Sequence, residues 1–235
     1  MTGAQALDRT SARRIASAYL PTNWYGNRWY YHYARSKLAR DPLYPGVVDA
    51  LRGSDAPLLD LGCGIGLLAL ALRAAGLELA YHGVDNDAAK IAQARGAAGN
   101  AALASVDFTV HDLAVGLPAH RGSVAILDVL QFVPLQAQDA ILDAAIALLT
   151  PGARLVIRTG LDDGSPRART TRSVDALSRA LRWMNAGPKR YPDADALQAR
   201  FAAAGLLVDI TPLYGNTPFN NWRVVATLPK ATSLL

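Results

Sequence analysis

Cysteine is nearly missing from this sequence. Cys63 is the only one among 235 residues, which excludes an internal disulfide and any cysteine-rich metal site. Long apolar runs are missing too. The longest stretches, such as Gly66 to Leu72, are cut by Arg73, far short of the ~20 residues that a bilayer crossing needs. The opening MTGAQALDRTSARR holds no apolar h-region, so no secretory signal is expected. No internal repeat or low-complexity tract is visible. With 51% apolar and 18% charged residues, the chain is wrong for a disordered polymer and ordinary for a globular enzyme. These absences predict a soluble, cytoplasmic, metal-free protein, a single domain long enough to bury a proper core.

Acidic charge is in short supply. The formal net charge is +5, with a pI near 9.5. An excess of that sign suits nucleic acid, an anionic small molecule or an acidic protein partner. It is concentrated where Arg158, Arg167, Arg169, Arg172, Arg179, Arg182, Lys189 and Arg190 crowd one segment, offset in part by Asp162, Asp163 and Asp175. A solvated helix face would account for the same residues.

Residues 1–52 read as helices, near Asp8–Tyr19, Asn27–Arg40 and Gly46–Arg52, punctuated by Pro21, Pro42 and Pro45. From Pro57 the pattern alternates. Short apolar strands are expected at Pro57–Leu61, Ala80–Asp85, Val106–His111, Val124–Asp128 and Ala153–Thr159. Helical windows fall between most of them, at Gly66–Ala75, Asp87–Ala98 and Leu135–Leu149. That order predicts an α/β fold, a parallel sheet with helices on both faces. A helical insertion at about 160–205, with stretches near Val174–Asn185 and Asp193–Ala204, precedes two strand-like runs, Leu206–Tyr214 and Asn221–Leu228. The short GNTPFN link between those runs leaves room only for an antiparallel hairpin at the sheet edge. The whole is expected to be one domain: a helical cap over 1–52, then a Rossmann-like core over 57–228 with a seven-stranded sheet.

The sharpest motif is LLDLGCGIGLLAL, Leu58 to Leu70. A strand ends at Asp60, a glycine-rich turn follows, and an apolar helix begins near Gly66. Gly62, Gly64 and Gly66 allow a sharp turn and close approach to a ligand, and the helix N-terminus offers free N–H groups to a carboxylate. A dinucleotide fingerprint would place its last glycine at Leu67, so a dehydrogenase fits poorly. The D-x-G-x-G-x-G spacing, with the closing hairpin, instead resembles motif I of the class I S-adenosylmethionine-dependent methyltransferases.

The resemblance implies roles for matching positions. Asp60, Gly62, Cys63, Gly64 and Gly66 would cradle the methionine end of S-adenosylmethionine, with Asp60 in polar contact with its ammonium. Asp85 of YHGVDND would take both ribose hydroxyls, chemically apt because a carboxylate only accepts and a diol supplies two donors. Asn86 would lie against the adenine edge. Asp112 and Leu113 of FTVHDL would meet the adenine amino group, and Asp128 and Val129 of AILDVLQFVP the methionine end, with Leu130–Phe132 beside the methyl. Read without the resemblance, Asp60, Asp85 and Asp112 are equally at home as loop caps or strand-end carboxylates, and Cys63 is a small residue in a tight turn.

Amine- and amide-methylating relatives carry a P-P-Y-type element after strand four. This chain has Asp128-Val129-Leu130-Gln131-Phe132 there, which is closer to small-molecule C- and O-methyltransferases, the quinone-biosynthesis type included. A phenol or enol acceptor also needs its proton removed; the base candidates are His32, His111 and Asp128. Upstream, NRWYYHYARSKL holds four of the chain's 17 Phe, Trp and Tyr residues, and Trp24 and Tyr25 come just before. Trp24, Tyr25, Arg28, Trp29, Tyr31, His32, Gln131 and Phe132 are the candidate acceptor-pocket residues, with Arg28, His32 and Arg35 forming one helical stripe. The same helix could pack as core or stack single-stranded RNA. Its sequence also resembles N-terminal segments of methyltransferases of aryl polyene and xanthomonadin-like pigment clusters, which implies a hydroxyaryl acceptor, free or on an acyl carrier protein. Three functions stay open: methylation of a small aromatic acceptor, RNA methylation, and a non-catalytic cofactor-binding scaffold.

Overall fold

The computed structural model describes residues 4–161, 191–215, 217 and 220–230. Strands β1 (Leu58–Leu61), β2 (Tyr81–Asp85), β3 (Val106–Val110), β4 (Ser123–Leu127), β5 (Arg154–Gly160), β6 (Leu207–Pro212) and β7 (Asn221–Thr227) form one sheet in the order β3-β2-β1-β4-β5-β7-β6. The first five strands run parallel. β7 lies antiparallel between β5 and β6, so the hairpin closes the sheet at one edge as its turn-only link requires. The expected boundaries shift by a residue or two, since strand ends are where side-chain pattern says least.

The two faces of the sheet are covered by different helices. α3 (Leu43–Leu51), α4 (Leu67–Ala74) and α5 (Ala88–Asn100) bury Val47, Leu51, Leu68, Leu72 and Ile91 against Leu58, Phe108, Ala125 and Val156. On the other face α6 (Leu135–Ala147) and α7 (Ala194–Ala203) bring Ile141, Leu142, Leu197 and Phe201 onto Leu59, Leu61, Ile126 and Ile157. β1 is buried at all four positions, which is why it reads as an unbroken apolar run broken only by Asp60. The expected helix near Asp193–Ala204 is α7, capped by Asp193 on Ala196 N–H. The one near Val174–Asn185 lies outside the described residues.

The N-terminal region contributes α1 (Arg9–Ala16), a 3₁₀ turn at Ser17–Tyr19 and α2 (Trp29–Arg40). α3 begins earlier than expected. Pro45 falls inside its first turn, where a missing N–H costs nothing, so it does not interrupt the helix. α2 buries only Ala34 and Leu38, into a cluster with Ala12, Ile15, Tyr19, Ile65, Leu67 and Leu70. Tyr19 Oη donates to Ile65 O at 2.8 Å, tying the cap to the glycine-rich turn. The N-terminal helices thus sit over that turn. Among the described residues no helix is long and apolar enough to cross a membrane.

Candidate active site

Parallel strands deliver their carboxyl ends to one rim, and the acids at those ends meet there. After β1 the chain turns through Gly62 (φ +75°), Gly64 (φ +57°) and Gly66 (φ +77°), a left-handed run that side chains resist. The three glycines differ in what surrounds them. A Cβ on Gly62 would lie 2.4 Å from Val129 Cγ2, and one on Gly66 2.6 Å from Phe108 Cζ. Those two are demanded by packing as well as by φ. A Cβ on Gly64 would meet nothing within 4 Å, so the turn is open on that side.

Two buried carboxylates flank the turn. Asp85 ends β2, its Oδ2 accepting from Gly64 N–H at 3.0 Å and its Oδ1 from Asp87 N–H at 2.9 Å. A carboxylate has about four lone-pair sites, so each oxygen keeps acceptor capacity. Asp60 is only 2% exposed. Its Oδ2 accepts from Tyr81 Oη at 2.5 Å, while Oδ1 is buried with no hydrogen-bond partner. Burial, reinforced by the charge of Asp85 and opposed by the Tyr81 bond, pushes its carboxyl up to about 7. Around the same rim, Asp112 caps the turn Leu113–Val115 by accepting from Ala114 N–H at 2.9 Å, and Asn86 is exposed beside Asp85.

At the end of β4 stands Asp128, with φ +59°, a conformation few non-glycine residues adopt. Its N–H donates to Arg158 O at 2.8 Å, and its side chain turns to two cations. Oδ1 is 3.2 Å from Arg158 Nε and Oδ2 is 3.7 Å from Lys37 Nζ. Asp41 completes a quartet, 2.7 Å from both Lys37 Nζ and Arg158. Burial opposes the charges of Asp41, Lys37 and Arg158. The opposite charges prevail, holding Asp41 below the usual carboxylate range and Lys37 and Arg158 above their ordinary values. A broad cleft opens beside the quartet, lined by Tyr33, Gln131, Phe132, Gly160 and Tyr191.

The comparisons with known proteins agree with this geometry. Residues 58–152 match the family described as a methyltransferase domain. A "Ubiquinone biosynthesis O-methyltransferase" of Xylella fastidiosa (strain 9a5c) is 34% identical over 106 residues, covering 45% of this chain and 42% of the relative. The chain therefore spans less than half the length of the curated relatives it matches. The magnesium protoporphyrin IX methyltransferase of Synechocystis PCC 6803, solved with bound SAH, superposes with a TM-score of 0.63 at 18% identity over 94% of both chains. Residues 58–152 of this chain are a methyltransferase domain. The fold alone is shared more widely, since the cyclase SpnF superposes with a TM-score of 0.60 at 17% identity, over 98% of this chain and 100% of that one.

S-adenosylmethionine is the cofactor of this methyltransferase domain, and the residues at the rim fit it. A buried carboxylate oxygen without a partner, at Asp60, suits an ammonium. The open side of Gly64, beside the spare acceptor capacity of Asp85, leaves room for a ribose. Cys63 packs in the turn, and burial pushes its thiol up, so it stays protonated and is no nucleophile.

Around the cleft the structure departs from the sequence-based expectation. Trp24 (85% exposed), Tyr25 (74%), Arg28 and His32 lie on the surface, not around the cleft. Tyr31 packs in the N-terminal cluster with Arg35 over its ring, and Trp29 stacks on Tyr33 with centroids 5.3 Å apart. The Arg28–His32–Arg35 stripe is therefore the outer face of α2. The stripe that meets the cleft is Tyr33–Lys37, one helical turn apart. His111 stands apart from the cleft: Nε2 is 2.8 Å from Gly116 O, and β3 lies three strand spacings, about 14 Å, from β4. Of the expected pocket only Gln131 and Phe132 line the cleft; of the bases only Asp128 does. Lys37 and Asp41 are an ordinary i,i+4 pair at the end of α2, but the pairs that carry them to Asp128 and Arg158, Lys37–Asp128 and Asp41–Arg158, join residues 91 and 117 positions apart and leave no local pattern.

Proposed function

We propose that the protein transfers the methyl group of S-adenosylmethionine to a small, hydroxylated aromatic acceptor. The observation that carries this reading is the cleft beyond Asp128, where the rings of Tyr33, Phe132 and Tyr191 accompany the polar groups of Gln131, Lys37 and Asp128. The match to ubiquinone biosynthesis O-methyltransferases supports it, as does the lack of a P-P-Y element after β4. Bound at the rim, S-adenosylmethionine supplies an electrophilic methyl on a sulfonium. In this reading Asp60 holds the ammonium, the amides of Gly62–Gly66 face the carboxylate, Asp85 takes the ribose diol, and Asn86, Asp112 and Leu113 border the adenine. Val129, packed over Gly62, and Asp128 stand at the methionine end. The N-terminal helices exclude water and align the acceptor, which is most of what this chemistry asks of a protein.

An acidic carrier has less support than it had in the sequence. Arg158 is 3% exposed in an ion pair, and the remaining basic residues of that segment lie outside the described ones. One observation favours RNA instead: Trp24, Tyr25 and Trp29 are exposed beside Arg28 and Arg35, a surface that could stack bases. The two readings separate in one assay, with methyl-labelled S-adenosylmethionine offered to hydroxybenzoates, catechols and RNA. Label is expected in at least one hydroxyaryl product and in none of the RNA. Transfer to RNA, with RNA binding that weakens steeply with salt, would overturn the proposal.

A further inference from the structure

We infer that Lys37 and Asp128 together form the binding pair for the acceptor's hydroxyl group, Lys37 donating to its oxygen and Asp128 accepting its proton. This rests on the aromatic-acceptor reading above and specifies the part of the cleft that reads the reacting group.

The geometry begins with a gap. Lys37 Nζ and Asp128 Oδ2 are 3.7 Å apart, too far for a direct hydrogen bond and close enough for one oxygen to bond both. Both groups line the cleft, and their side chains keep 25% and 30% of their surface. The other half of the quartet is closed. Arg158 and Asp41 have side chains 4% and 10% exposed and are locked at 2.7 Å. Lys37 spends one of its three donors on Asp41 at 2.7 Å, which fixes the ammonium and leaves donors toward the cleft. Asp128 is aimed by its own backbone: the left-handed φ of +59° at the end of β4 is a local strain of the kind found where a side chain must point in one direction.

Charge decides which member moves the proton. The groups facing Lys37 are Asp41, Asp128, Arg158 and Tyr33, with the half-buried Tyr44 close to both acids. The two acids balance the two bases, so a bare phenolate entering the quartet would leave it with an uncompensated charge. Transfer within the pair avoids that. The phenol O–H breaks with its electrons staying on oxygen, the proton goes to an oxygen of Asp128, and the negative charge moves from one side of Lys37 to the other. Lys37 keeps its proton throughout, as its raised pKa requires. The partly exposed Asp128 then returns the proton to water.

The test compares 4-hydroxybenzoate with benzoate, which differ only in the hydroxyl, by calorimetric titration into the complex with S-adenosylhomocysteine. The wild type should prefer the hydroxylated ligand by about tenfold, as expected where a polar site loses its partner. Asp128→Asn, which tolerates the left-handed backbone, and Lys37→Gln should each reduce that preference to near unity. Loss of a quartet charge should lower Tm in each variant, but the ratio between two ligands, measured on the folded protein saturated with S-adenosylhomocysteine, does not depend on that loss, and Lys37→Arg should restore part of the preference. A preference that survives both Lys37→Gln and Asp128→Asn, or wild-type binding of both ligands without preference, overturns the inference while leaving an aromatic acceptor site standing. Binding of neither ligand by the wild type overturns the aromatic reading and the inference with it.

Discussion

Arg158→Ala should cost about 3–5 kcal/mol of stability, the scale for removing one partner of a buried ion pair. The side chain is 4% exposed and answers both Asp41, at 2.7 Å, and Asp128, at 3.2 Å. Without it Asp41 keeps Lys37 and the Leu43 N–H, too little for a buried carboxylate. The loss should depend on pH in a definite direction. Asp41 is held below its ordinary value of 3.8, so its contribution is present above that pH and disappears as pH falls through the folded-state value. Urea denaturation at pH 7 measures the effect. The double variant Asp41→Asn/Arg158→Met should recover most of it, because a buried pair replaced as a unit is close to neutral. A single variant within about 1 kcal/mol of wild type would show that the quartet does not hold the cap to β5.

Asp60→Asn should weaken S-adenosylhomocysteine at pH 8 by roughly 10- to 100-fold, the worth of a hydrogen bond to a charged group. It should also make the free protein more stable at that pH. Both effects come from one buried carboxyl pushed up to about 7. Between its ordinary value of 3.8 and 7 the folded state holds a proton that the unfolded state has released. Stability therefore falls as pH rises through that window and stays lost above it, by up to about 4 kcal/mol. Binding of an ammonium reverses the balance by favouring the ionised form. Ligand affinity should thus rise with pH up to about 7 and level off above it, with about one proton released near pH 6, visible as a dependence of the titration enthalpy on buffer. In Asp60→Asn the pH dependence should vanish. A pH-independent wild type would leave Asp60 a structural partner of Tyr81 and nothing more.

Much of this fold could be read from the chain. The short apolar runs and the Gly62–Gly66 turn place β1 to β5 and the helices between them because backbone geometry and apolar spacing are local properties. Asp85 and Asp112 sit at predictable strand ends for the same reason. The acceptor side was less legible. A helical wheel over Asn27–Leu38 shows which residues share a face, but α2 presents one face to α1 and another to the cleft, and composition alone does not say which. The Arg28–His32–Arg35 stripe stood out because it was polar, and it is polar because water covers it. Lys37 belongs to the interior side, where its charge is explained by Asp41, one helical turn on, and by Asp128 and Arg158, which only the topology brings to it. Asp128 likewise gave no sign in the sequence that its backbone would be left-handed.

The account rests on the rim between Asp60 and Asp85 being the cofactor site, and isothermal titration of S-adenosylhomocysteine into the wild type and Asp85→Ala tests that most directly. The wild type should bind in the micromolar range, and Asp85→Ala should lose about 1–3 kcal/mol of that affinity with its fold intact by circular dichroism. No binding to the wild type at high micromolar ligand, or equal affinity in the two proteins, would contradict it.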